Sequence, residues 1–147
     1  MATAPQVFPS STTATIKAGF WIRVGAYLID SIILFVVWMI LAGIAKVFPD
    51  WAQAIVGWLL ILSPLAYFMW MWSAKGPWPG QSLGMKALGL KVVKTDGQLL
   101  TIWMAGARVL AMAIASLPLY LGLLWVAWDP NKQGWHDKMV GTYVLKV

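Results

Sequence analysis

Three long apolar runs alternate with short polar and charged stretches along the chain. The first extends from about Ala18 to Ala45 and is interrupted only by Arg23 and Asp30. The second, Trp51 to Ser73, carries no charge, and neither does the third, Val109 to Trp128, which holds Ser116-Leu117-Pro118 near its centre. Crossing the hydrocarbon core of a bilayer takes about 20 apolar residues in a helix, and helix is the expected form because it satisfies its own backbone groups where water is absent. Pro118 removes a helix hydrogen bond and bends or breaks the third run. The pattern predicts an all-α integral membrane protein. It has two clear transmembrane helices, about 18–45 and 51–73, and a third apolar helical segment, about 109–128, that is either a span or a re-entrant element bent at Pro118.

A weaker pattern bears on that choice. Lys86 to Lys94 and Lys138 to Lys146 both read Lys-x-x-Gly-x-x-Val-x-Lys. Each ends in a short β-type stretch, Lys91–Lys94 and Tyr143–Val147, and the first is followed by the turn signal Thr95-Asp96-Gly97. Strands that pair must lie on one side of the membrane, which a single crossing between them forbids. Length favours a third span, whereas the repeat and the charges favour re-entry; the balance leans to re-entry, with a short strand pair at the cytoplasmic face.

Composition strengthens the membrane reading. Hydrophobic residues make up 61% and charged residues 11% of the chain, against about 45–50% and about 25% in soluble domains. Trp21, Trp51, Trp70, Trp72, Trp103, Trp125 and Trp128 stand near the ends of the runs, where amphipathic rings prefer the headgroup level. The net charge of +6 reflects basic residues beside the apolar runs, where they orient the protein; nucleic acid is not an expected partner. Lys17 and Arg23 flank the start of the first span, and Lys75, Lys86, Lys91 and Lys94 follow the second, placing the N-terminus and the 75–104 loop in the cytoplasm. Residues 1–16 are expected to be a flexible tail, ahead of one membrane domain over 17–147. With no cysteine, no Glu and one His, thiol chemistry is excluded and neither a metal nor a cofactor is expected.

Asp30 is the most informative residue. It lies near mid-bilayer, where a charge costs at least about 2.5–3.5 kcal/mol and calls for a partner. Arg23 is two helical turns earlier on the same face, a rise of roughly 10 Å that is too long for contact. Arg108 or Lys86 is the easier partner, and Arg23 can snorkel to the headgroups. Asp30 then serves either as a proton or cation site or as half of a fixed ion pair that sets helix register. Asp129 to Asp137 reads as a turn leaving an apolar segment. Within it Asp137 suits a capping role, and His136 is a candidate for tuning a pH response. Gly80 to Lys86 lacks the spacing of a phosphate-binding loop and reads as a tight turn. No Ser sits in a nucleophile elbow, so an enzyme is not expected.

These motifs together resemble the RDD family of small bacterial membrane proteins. The resemblance rests on Ala18 to Asp30, Gly80 to Val93, Arg108, and Asp129 to Val144. The family is named for one Arg and two Asp: Arg23 and Asp30 match the first two and Asp137 the third, with Asp129 as the alternative. Met85 departs from the pattern, standing where the family often has Lys. The resemblance implies a bacterial cytoplasmic (inner) membrane protein connected with transport, in some members cation/proton exchange. On this reading the ion-site candidates are Asp30, Arg23, Arg108, Asp137 and Asp129. The expected partners are the lipid bilayer, protons and monovalent cations, and further copies of the chain or another membrane protein. A non-transporting scaffold, whose Arg and Asp only fix helix packing, is the alternative.

Overall fold

The computed structural model describes residues 16–147, so the expected tail falls, up to Thr15, outside the described residues. Helix α1 (Phe20–Ala45) and helix α2 (Asp50–Trp72) are the two long apolar helices of a hairpin. Pro49 starts α2, and Asp50 in its first turn suits the positive end of the helix dipole. Trp38 Nε1–H donates to Ser63 Oγ at 2.8 Å and ties the two helices together. Beyond Asp30, α1 buries only Ala45, and α2 buries only Met71 and Trp72 at its end. So much bare apolar surface is unsustainable in water. In lipid it needs no protein cover, because the tails are as apolar as Leu.

The protein core lies at the open end of the hairpin. Helix α3 (Leu83–Ala87) leads into strand β1 (Leu90–Lys94), and helix α6 (Trp135–Val140) leads into strand β2 (Thr142–Lys146). The strands pair antiparallel with Val92 opposite Val144, the two valines that correspond in the Lys-x-x-Gly-x-x-Val-x-Lys repeat. The repeat is thus a structural unit, helix–Gly–strand, used twice. Gly89 (φ +64°) and Gly141 (φ +69°) take the left-handed conformation between helix and strand, which glycine adopts without steric penalty. The free edge of β2 is covered by the chain just before α1, where Ala18 N–H donates to Val144 O and Lys146 N–H to Ile16 O, both at 2.8 Å. Trp72, Met85, Leu90, Val92, Leu100 and Val144 fill the core. Met85 is fully buried there.

Between the strands lie helix α4 (Ile102–Ser116), helix α5 (Leu121–Leu124) and a 3-10 turn, Trp125–Ala127. The helical segment begins at Ile102 instead of Val109, where Thr101 Oγ1 caps it by accepting the Met104 N–H. It breaks at Pro118: Leu119 and Tyr120 adopt left-handed φ of 52° and 61°, and the two parts meet at 112°. The strands that precede and follow this bent segment pair with each other, and its bend is bare, with Leu119 85% exposed.

Candidate functional site

The buried stripe of α1 is Arg23, Ala26 and Asp30, so the shared face read from their spacing exists. Its two charged members go to different places. Arg23 is buried at the base of α1 instead of reaching for headgroups. Its Nη1 donates to Asp137 Oδ2 at 2.6 Å, its Nε to Ala18 O at 3.1 Å, and its Nη2 to Lys132 O. Arg108, on α4, donates from Nη1 to Asp137 Oδ1 and meets Thr142 Oγ1. Asp137 therefore sits between two guanidinium groups, on a helix that its own side chain helps to start by accepting the Gly134 N–H at 3.1 Å. The expected capping role and a double ion pair coexist in one carboxylate. Burial pushes the Asp137 carboxyl up, but the charges of Arg108, His136 and Arg23 outweigh it and hold the group far below the usual carboxylate range.

Asp30, fully buried, has neither Arg108 nor Lys86 as its partner. Tyr67 Oη of α2 donates to Oδ1 at 2.8 Å, Ser82 Oγ to Oδ2 at 2.5 Å, and Gly84 N–H to Oδ1 at 2.8 Å. Lys86 instead places its Nζ 3.7 Å from the centre of the Trp78 ring. The segment Gly80–Lys86, read above as a plain turn, thus delivers two of the three donors. Ser82 also caps α3, and Gly84 lets α3 approach so closely that a Cβ there would lie 2.0 Å from Ala26 O. Ser82, Gly84 and Tyr67 escaped the sequence reading because none is charged. Tyr67, a hydroxyl within an uncharged span, is the available signal, shared there with Ser63 and Gln53.

Asp129 stands apart from this group. It pairs with Lys138 at 2.5 Å and accepts the N–H groups of Asn131 (3.0 Å) and Gln133 (3.1 Å), which fixes the loop. The Lys138 contact, helped by those N–H groups, holds its carboxyl below the ordinary value against the opposing effect of burial. Among the described residues no group of three or more His, Cys, Asp or Glu converges as a metal site.

His136 is buried, with Nε2 3.5 Å from Asp137 Oδ1, and neither ring nitrogen has a hydrogen-bond partner. Burial pushes its pKa down to about 3; Asp137 pulls upward, and Arg108 and Arg23 oppose protonation. In the unfolded chain His136 takes up a proton near the ordinary value of about 6.5, so between that pH and about 3 the unfolded state binds more protons. Stability must fall as pH drops through this window. The unfolding midpoint in detergent is expected to decline from pH 6.5 to 4.5, and His136→Gln to flatten that part of the curve. An unchanged slope in the variant would refute the assignment.

A family model described as RDD matches residues 17–141, from ahead of Arg23 to beyond Asp137. The chain belongs to the RDD family. Over 100 residues this RDD protein is 32% identical to the proline-rich antigen homolog of Mycobacterium tuberculosis, covering 67% of this chain and 42% of that protein. The chain thus spans about two-fifths of the length of that relative. It is 29% identical to the Bacillus subtilis protein YckC over 136 residues, covering 86% of this chain and 83% of YckC. With YxaI of the same organism it shares 30% identity over 149 residues, covering 87% and 96%. No solved structure matches the chain.

Proposed function

We propose that this RDD protein is a transport-type membrane protein that acts as a homo-oligomer, with Asp30 exchanging a proton or a monovalent cation. The observation that supports this most is the company Asp30 keeps: it is fully buried, and among the described residues no Lys or Arg pairs with it. Two of its three partners are hydroxyls, and hydroxyl oxygens both donate and accept. Tyr67 and Ser82 can therefore donate to the carboxylate, or turn lone pairs toward a bound cation or a carboxyl proton. Arg23 and Arg108 are engaged by Asp137 and act at a distance, by their charge. One hairpin offers no enclosed path, so the bare sides of α1 and α2 are assigned to contacts between copies.

The membrane is read as the bacterial cytoplasmic membrane, with the N-terminus, the 75–104 loop and the C-terminus in the cytoplasm. The lysine bias and the strand pairing, which brings residues 16–18, β1 and β2 together, support that orientation. No catalytic activity is assigned.

The test is cation-driven proton flux in proteoliposomes. Wild type is expected to dissipate an imposed sodium or potassium gradient, and Asp30→Asn, if still monodisperse, to fall to the level of protein-free liposomes. Equal flux in the two would end the proposal. A second reading has its own support, since the same three hydrogen bonds fasten α1 to α2 and α3. If Asp30 is only a clamp in a scaffold, Asp30→Asn lowers stability and wild type shows no flux above the protein-free level.

A further inference from the structure

The buried cluster around Asp137 holds more positive than negative charge. Two guanidinium groups face one carboxylate, and His136 remains neutral beside them. Arg23 has a partner for each of its three nitrogens. Arg108 does not: it is fully buried, yet its Nε and Nη2 have no partner. Tyr27 Oη, Trp72 Nε1 and both His136 nitrogens are buried and unpartnered as well.

These groups are contiguous. The Tyr27 ring meets Trp72 edge-on with centroids 6.4 Å apart, and the Arg108 guanidinium lies 5.0 Å from the centre of the Trp72 ring. His136 approaches the same Asp137 oxygen that takes Arg108. Each of the four residues carries a donor, and burying donors unsatisfied is destabilising. What the cluster lacks is an acceptor with negative charge.

A cavity of about 250 Å³ leads to it. Phe20, Val24, Leu123 and Leu124 form apolar walls, and Arg23, Tyr27 and His136 also bound it. Tyr120, another boundary residue, is 63% exposed, so the cavity reaches the apolar surface. Its volume is below the roughly 300–1,000 Å³ of ordinary small-molecule sites, which suits one alkyl chain better than a ring system.

We propose that this cavity binds a single-chain anionic amphiphile. The chain lies between α1 and α5, and a carboxylate or phosphate-monoester headgroup faces Tyr27, His136 and Arg23 at the cavity wall, its charge answering the excess positive charge that Arg23 and the deeper Arg108 share around Asp137. None of this rests on Asp30.

Photo-crosslinking tests it. Dodecanoate with a terminal diazirine is irradiated with the protein in phosphatidylcholine nanodiscs, and labelled peptides are mapped. Label is expected on residues of α1 or α5 that bound the cavity. Unlabelled dodecanoate and dodecyl phosphate should displace it about tenfold better than dodecanol at equal bilayer fraction, roughly the worth of a charge-assisted hydrogen bond. Inorganic phosphate should leave it in place. Leu123→Trp, which fills the cavity, should abolish labelling, and Tyr27→Phe should weaken it several-fold.

Equal displacement by dodecanol would reduce the site to an apolar slot and overturn the proposal, and displacement by inorganic phosphate would replace the amphiphile with a free anion. Unchanged labelling in both variants would also overturn it. If Leu123→Trp fails to fold, Tyr27→Phe and the alcohol competition decide the matter.

Discussion

Asp137→Asn is expected to destabilise the protein by about 3–5 kcal/mol, the usual cost of breaking a buried ion pair from one side. Asp137 accepts from Arg23, Arg108, Thr142 and the Gly134 backbone, and all of these groups are buried. Asn keeps the shape but loses the charge, and its NH2 group turns a donor toward groups that are themselves donors. The base of α1, the middle of α4 and the start of α6 would then lose their common anchor. Most of the penalty should come from the two stranded guanidinium groups, so adding Arg23→Met and Arg108→Met to Asp137→Leu should recover part of it. Monodisperse yield and unfolding midpoint in detergent measure both effects. A triple variant no more stable than Asp137→Leu alone would show that the ion pairs are not the main term.

Gly84→Ala should be nearly as damaging, and for a steric reason. The added methyl would lie 2.0 Å from Ala26 O and 3.1 Å from Asp30 Cγ. Helix α3 would have to move off α1, and with it the Gly84 N–H and Ser82 hydroxyl that Asp30 requires. Overpacking costs about 1–3 kcal/mol, and a lost hydrogen bond to a charged group about 1.5–3 kcal/mol. Gly43 and Gly57 serve as internal controls, since a Cβ at either meets nothing within 4 Å. Alanine there should leave the midpoint unchanged or raise it slightly, because Ala favours helix over Gly by about 1 kcal/mol. Equal midpoints for Gly84→Ala and Gly43→Ala would refute the close-packing account.

Several of these features could be read from the chain because they arise from local or solvent-level physics. Hydropathy over a span-length window identifies α1 and α2, since lipid demands only that each helix be apolar and long enough. The Lys-x-x-Gly-x-x-Val-x-Lys repeat carries the strand pair, with Val92 of one copy opposite Val144 of the other. The strand limits shifted by a residue, and the third segment starts seven residues earlier than the hydropathy run, at Ile102 instead of Val109. There the start is set by the Thr101 cap and by small residues, Ala105 and Gly106, buried against the core.

The site is another matter. Arg23 and Asp30 share a face because their spacing is two helical turns, and the sequence alone determines that. Which group each one meets was decided by the tertiary structure. Arg23 found Asp137, 114 positions along the chain, once the paired strands brought α6 under the base of α1. Asp30 found Tyr67, Ser82 and Gly84, all uncharged. Charge and depth announce that a buried carboxylate needs partners, but hydroxyls and a backbone N–H can satisfy it as well as a cation. Only the packing of α3 against α1, permitted by a missing Cβ at Gly84, selects them.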